Sequence, residues 1–250
     1  MKTAIIFGSS GGIGHQFVEY CLAQYEHVFA CTRQSQSFKT IDKEGMGKLH
    51  LMQLDPSSET ELQLFSEYLA GREFNVQLMI NACGLLHDDS THIAPEKKIE
   101  DFNAESFEAV IKANALITPL IAKYLLSHLN KGAKNCHSTG VFASLSARVG
   151  SIGDNYLGGW YSYRASKAAL NQIIKTLSIE ASRRFKNSAV VAIHPGTTDT
   201  HLSEPFQANV PAEKLFTPEY AIKKMMAVIE NVTLDDSGKF YAWDGSLIQW

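Results

Sequence analysis

Thr3-Ala4-Ile5-Ile6-Phe7 runs straight into Gly8-Ser9-Ser10-Gly11-Gly12-Ile13-Gly14, and helical periodicity follows from about Ile13 to Tyr25. The first five residues have the length and apolar character of a strand. Glycine lets the backbone turn sharply and come close to a ligand. Free N–H groups at the start of a helix supply partial positive charge to an anion. A glycine cluster alone is compatible with a plain tight turn. Placed between a strand and a helix, it reads as a cradle for the pyrophosphate of a nucleotide, centred on Gly8, Ser10, Gly12, Ile13 and Gly14.

The same alternation continues outward. A strand over His27 to Thr32 completes a βαβ unit. Further strands are expected over Leu49–Leu54, Val76–Ile80, Val141–Ser146, Ala189–His194 and Lys239–Trp243. Helices are expected after Pro56, over about Ala104–Leu129 and Tyr161–Phe185, and after Pro218. Several strand runs are β-branched and nearly continuous in apolar character, as strands covered on both faces must be. The pattern predicts an α/β fold, a doubly wound, mostly parallel sheet. No linker-like shift in composition interrupts residues 1–250, so one domain is expected. Three long loops, Asn81–Lys98, Ala147–Trp160 and Pro195–Phe216, leave the carboxyl ends of strands and should wall the site.

Bulk properties narrow the partners. The chain is 45% hydrophobic and 20% charged, with a net charge of -3, and it has no long basic run. Neither nucleic acid nor an anionic membrane is an expected partner, and a small molecule is. No signal-peptide pattern is read at the start and no apolar stretch of ~20 residues is read elsewhere, so a cytoplasmic location is expected. Cys21, Cys31, Cys83 and Cys136 lack CxxC or CxxH spacing, which argues against metal ligation or a disulfide framework and for buried free thiols. His87 and His92 flank two aspartates, with nothing further to support a metal site.

An acidic residue at the end of the second strand would bind a ribose 2′-hydroxyl and repel a 2′-phosphate. Here the strand ends Cys31-Thr32-Arg33, and Arg33 can pair with that phosphate, so NADP(H) is expected over NAD(H). Later, Tyr163-Arg164-Ala165-Ser166-Lys167 opens a helical segment. Spacing of four puts Tyr163 and Lys167 on one helix face. A phenol with a pKa near ~10 needs a nearby cation to work as an acid or base at neutral pH.

With the spacing GxxxGxG in Gly8, Gly12 and Gly14 and the pair Tyr163 and Lys167, the chain resembles the short-chain dehydrogenase/reductase family over almost its entire length. Phe7 departs from the family's usual threonine. The resemblance implies a Rossmann fold with a seven-stranded sheet, hydride transfer between a nicotinamide and a carbonyl or alcohol, and Tyr163 as acid–base. It implies that Lys167 also holds the nicotinamide ribose and that Asn114 belongs to a proton relay. Asp55 matches an adenine contact, although Asp55-Pro56 also reads as a helix N-cap followed by proline. Asn81-Ala82-Cys83-Gly84 resembles the NNAG motif beside the adenosine, with Ala82 and Cys83 as departures. Pro195-Gly196-Thr197-Thr198-Asp199-Thr200 resembles the PGxxxT element near the nicotinamide, which gives Pro195, Gly196, Thr198 and Thr200 as cofactor candidates. For the serine that bonds the substrate oxygen, Ser146 is favoured over Ser144 and Ser151, provided that a strand-end bulge turns its hydroxyl inward.

Ser146-Ala147-Arg148-Val149-Gly150-Ser151-Ile152, Gly158-Gly159-Trp160-Tyr161 and Trp243-Asp244-Gly245 are similar to the branch holding C-factor-like proteins and sniffer-type carbonyl reductases. A homodimer or homotetramer is implied by the same resemblance. Tyr156, Trp160, Tyr161 and Phe206 are candidates for an apolar substrate wall, with core packing as the alternative. Two functions stay open: a carbonyl reductase, and a nucleotide-binding signalling or regulatory protein with little turnover.

Overall fold

A computed structural model describes residues 1–33 and 48–250. Strands β1 (Lys2–Phe7), β2 (His27–Thr32), β3 (Lys48–Gln53), β4 (Asn75–Asn81), β5 (Gly140–Leu145), β6 (Ser188–His194) and β7 (Phe240–Ala242) form one seven-stranded sheet. Their order is β3-β2-β1-β4-β5-β6-β7, and every pairing is parallel. The chain winds one way from β1 to β3 and the other way from β4 onward. The glycine turn therefore leaves β1 at the switch point, where a crevice opens beyond the strand ends.

The period of two along each strand divides the interior into two layers. In β1, Ile5 and Phe7 point to one face, where helices α2 (Glu59–Ala70), α4 (Ile117–Asn135) and α5 (Tyr161–Arg184) supply Phe65, Ile121, Leu125, Leu170 and Ile174. Ala4 and Ile6 point to the other, against Phe17 and Val18 of α1 (Gly12–Leu22) and Met225 and Met226 of α6 (Pro218–Ile229). Phe7, Phe29 and Phe142 are fully enclosed. Each such side chain contributes roughly 2–3 kcal/mol through burial.

The long helix expected over Ala104–Leu129 runs on to Asn135 and is interrupted. Its first part, α3 (Ala104–Ile111), passes through a π-helical turn at Lys112–Leu116 into α4. Insertions of this kind occur mostly at functional positions, and this one buries Asn114 and Ala115. By length and composition Ala104–Asn135 could also cross a membrane, contrary to the expectation from the sequence. Its apolar side chains Ile121, Leu125 and Leu129 are instead fully buried in the core beneath the sheet.

Helix α2 starts later than Asp55-Pro56 had implied. Its N-cap is Ser58, whose Oγ accepts the Glu61 N–H at 3.3 Å. Asp55 instead folds back on Ser57, accepting its N–H and its hydroxyl, both at 2.8 Å. Of the four cysteines Cys21 and Cys31 are buried thiols, Cys83 is partly buried, and Cys136 is exposed, which corrects the expectation for that residue.

Candidate active site

At the switch point the turn is drawn tight by three bonds to one carbonyl. Gly8 N, Ser9 N and Ser9 Oγ donate to Cys31 O at 3.1, 3.2 and 3.0 Å. Gly8 takes φ +74, and a Cβ on it would lie 2.9 Å from Cys83 N. A Cβ on Gly14 would meet Gly8 O at 2.1 Å, so only glycine allows the helix to start this close to the strand. Helix α1 has no side-chain cap and no acidic residue in its first turn. Its leading N–H groups are thus left for an anion.

A cavity of about 280 Å³ begins at this turn and runs toward the catalytic candidates. Gly12, Ile13, Gly14, Ala82, Gly84, Pro195 and Thr200 line it. Thr200 leans over the turn, its Cγ2 3.0 Å from where a Gly12 Cβ would be. Other cofactor candidates lie behind the lining. The Asn81 side chain is tied to Thr118 Oγ1 at 2.9 Å and to Cys83 N at 3.0 Å, which fixes the turn that follows β4. Gly196 adopts φ +75 with the Phe216 and Trp243 rings against its Cα, and Thr198 is buried, its hydroxyl 3.4 Å from Pro195 O. These residues shape the wall. Ser10 and Arg33 are exposed. Arg33 stands close enough to Cys83 to draw its thiol down, as Lys167 does, but burial dominates and pushes that thiol up to about 12. Glycines under the turn, an uncapped helix end and a cation beside it together fit a phosphorylated dinucleotide.

Tyr163 and Lys167 both line the cavity. Both are buried, at 8% and 3% exposure. Burial pushes the Tyr163 phenol well above its ordinary range, and the Lys167 ammonium, 5.7 Å from the ring centre, does not reverse this. The same burial, opposed by Cys83, brings Lys167 down to about 8. Lys167 Nζ donates to Leu145 O at 3.0 Å. Asn114, in the π-helical turn, bonds the Leu85 backbone in both directions, at 2.7 and 2.8 Å, and donates to Ser166 Oγ at 2.9 Å. Gly84 lies between Asn114 and Lys167, and a Cβ there would be 3.5 Å from Asn114 Oδ1 and 3.8 Å from Lys167 Nζ.

Of Ser144, Ser146 and Ser151, Ser146 alone lines the cavity. It does so without a bulge, because β5 pairs with β6 in continuous register from Gly140↔Ser188 to Leu145↔Ile193. Ser144 and Ser146 lie on the same face by simple alternation. Ser144 sits deeper, its Oγ 3.2 Å from Thr118 Oγ1, and Ser151 Oγ accepts the Asp154 N–H. Ser146 Oγ donates to Asn171 Oδ1 at 2.6 Å. Asn171 comes one turn after Lys167 on the same helix face, a spacing the sequence displays. His194, at the end of β6, is held down to about 4 by burial first and then by Arg148 and Lys167, so it stays neutral.

Leu85, Leu86, His87, His201 and Leu202 complete the outer end of the cavity. His87 and His201 meet through His87 Nε2 and the His201 carbonyl, 2.9 Å apart, joining the loop after β4 to the loop after β6. Trp160 stands edge-on to Tyr163 at 6.1 Å and to Phe206 at 5.0 Å. Tyr156 is 86% exposed and Tyr161 40% exposed, and neither belongs to the cavity lining or to the cluster around Trp160 and Phe206. No three His, Cys, Asp or Glu side chains come together as metal ligands among the described residues.

A profile described as short chain dehydrogenase matches residues 2–211. The chain is 29% identical over 254 residues to 1-hydroxy-2-glutathionyl-2-methyl-3-butene dehydrogenase of Rhodococcus sp. (strain AD45), covering 100% of both chains. It is 31% identical over 137 residues to C-signal of Myxococcus xanthus, covering 55% of this chain and 74% of the other. In fold it is similar to the NADPH-bound carbonyl reductase from chicken fatty liver (TM-score 0.81, 24% identity, 99% and 98% of the two chains). It is also similar to the carbonyl reductase Sniffer of D. melanogaster (TM-score 0.84, 21% identity, 100% of both chains).

Proposed function

The chain belongs to the short-chain dehydrogenase family, and we propose that within it this protein is an NADPH-preferring reductase of small aldehydes or ketones. The observation that carries this reading is one cavity in which Tyr163, Lys167 and Ser146 are joined to the glycine turn. A nicotinamide bound there supplies the hydride. Tyr163 gives its phenolic proton to the carbonyl oxygen, and Ser146 turns its hydroxyl proton from Asn171 Oδ1 to that oxygen and holds it by a hydrogen bond. Lys167 offsets the negative charge that develops on the phenol.

Burial raises the Tyr163 pKa, so the phenol is protonated at neutral pH and ready to donate. Arg33, following β2 where an acidic residue would repel a 2′-phosphate, favours that phosphate. Leu85, Leu86 and Leu202, backed by Trp160 and Phe206, suit an apolar carbonyl compound.

Similarity to C-signal favours a second reading, a signalling protein in which cofactor occupancy rather than turnover carries information. The buried Tyr163 and Lys167 weigh against it, because burying a lysine is costly where no chemistry needs it. The test is NADPH oxidation on addition of aldehydes, ketones and α-diketones, by the wild type and by Tyr163→Phe. The reductase reading requires turnover that the substitution abolishes. NADPH binding without turnover on any carbonyl favours the signalling reading.

A further inference from the structure

Two charged side chains are buried among the described residues, Lys167 and Glu96, each 3% exposed. The chemistry proposed above uses the first and leaves the second without a role. Glu96 lies on the loop between β4 and α3, yet its hydrogen bonds run to the start of α5. Ser162 N donates to its two carboxylate oxygens at 3.3 and 3.2 Å, and the Ser162 hydroxyl donates to Oε1. The Trp160 N–H donates to the Glu96 backbone carbonyl.

Helix α5 has no cap from its own N-cap residue. That residue is Trp160, held at φ 54 in the left-handed region, where a bulky side chain is strained. A helix start leaves N–H groups without partners, and a carboxylate is well suited to take them because the helix dipole favours negative charge there. Glu96 supplies this from a distant loop. Tyr163 is the next residue after Ser162, and the Trp160 ring lies between Tyr163 and Phe206, 6.1 and 5.0 Å from them.

We propose that Glu96 is a positioning residue that acts as a cap in trans: its carboxylate fixes the first turn of α5, and with it the Tyr163 phenol and the Trp160 indole at the mouth of the cavity. The inference rests on the reading of Tyr163 as the proton donor. If the carboxylate is removed, the Ser162 N–H and hydroxyl lose their acceptor in a buried place, and Trp160 is free to leave its strained conformation. A small displacement of a reacting group is enough to cost ~10²-fold in rate. The glycine turn and Arg33 lie on other elements and are not touched. Glutamine keeps an acceptor oxygen for the Ser162 N–H at nearly the same size, whereas alanine keeps none.

The experiment compares full-length wild type, Glu96→Ala, Glu96→Gln and Tyr163→Phe. Three quantities are measured: kcat and KM with an α-diketone, NADPH affinity by fluorescence titration, and amide hydrogen exchange over residues 158–166. For Glu96→Ala the expected result is a kcat lowered about 10- to 100-fold, an NADPH Kd within about threefold of wild type, and faster exchange at Ser162. Glu96→Gln should restore most of the kcat and of the exchange protection. Wild-type kcat and wild-type exchange in Glu96→Ala would overturn the proposal, and so would a loss of NADPH binding equal to the loss of rate. Undiminished turnover by Tyr163→Phe would instead remove the proton-donor assignment, and the exchange measurement would still decide whether Glu96 caps α5.

Discussion

Replacing Lys167 by methionine should make the protein without cofactor more stable while it destroys the chemistry. Lys167 is buried, and burial brings its pKa from 10.5 down to about 8. At ~1.4 kcal/mol for each tenfold change in acidity, that fall makes the charged ammonium cost roughly 3 kcal/mol at neutral pH. Methionine fills a similar volume without the charge. Against this, Leu145 O loses the donor it has at 3.0 Å, which costs about 1 kcal/mol. The net gain of roughly 2 kcal/mol corresponds to a rise in Tm of about 4–8 °C in a domain of this size. Circular dichroism melts of both proteins measure it. The folded wild type binds fewer protons than the unfolded chain between pH 8 and 10.5, so its stability rises across that window. The advantage of Lys167→Met is therefore full below pH 8 and narrows toward pH 10. A variant less stable than wild type at pH 7, or a gap that does not narrow, would refute the reasoning.

Other substitutions probe separate parts of the site. Gly14→Ala puts a methyl group 2.1 Å from Gly8 O, so the turn must open and NADPH affinity should fall more than about tenfold by fluorescence titration. Arg33→Ala should reduce the ratio of NADPH to NADH kcat/KM by about tenfold or more, the loss of a charge-assisted bond, and leave NADH kinetics nearly unchanged. Ser146→Ala should lower kcat by about 10²-fold. Ser144→Ala, behind the lining, should alter Tm more than kcat.

Much of this architecture is legible in the residues because it follows from local rules. Strand and helix order follow from hydrophobic period, and the glycine turn declares itself through its place between Phe7 and α1. Tyr163 and Lys167 meet because four residues make about one helical turn. What escaped depends on contacts across the fold. Ser58 takes the N-cap that Asp55 seemed placed to fill, since a nearby serine competes for the same helix start. The π-helical turn at Asn114 has no sequence period of its own, and its side chain is bonded across the fold to Leu85 and Ser166. Ser146 needs no bulge because β5 keeps an unbroken register with β6 up to Leu145 and alternation carries Ser146 to the face of Ser144. Tyr156 and Tyr161 flank Trp160 in sequence, and only the fold tells which ring packs against Tyr163 and Phe206. Glu96 sits in an irregular loop, where neither spacing nor periodicity signals burial.

The most direct test of the central claim is a titration of the purified protein with NADPH and with NADH, followed in the same cuvette by carbonyl compounds, for wild type and Tyr163→Phe. The expected result is tighter binding of NADPH than of NADH, carbonyl-dependent oxidation by the wild type, and a rate about 10²–10⁴-fold lower in Tyr163→Phe with NADPH binding retained. Equal affinity for the two nucleotides would contradict the role of Arg33, and an unchanged rate in Tyr163→Phe would contradict the mechanism itself.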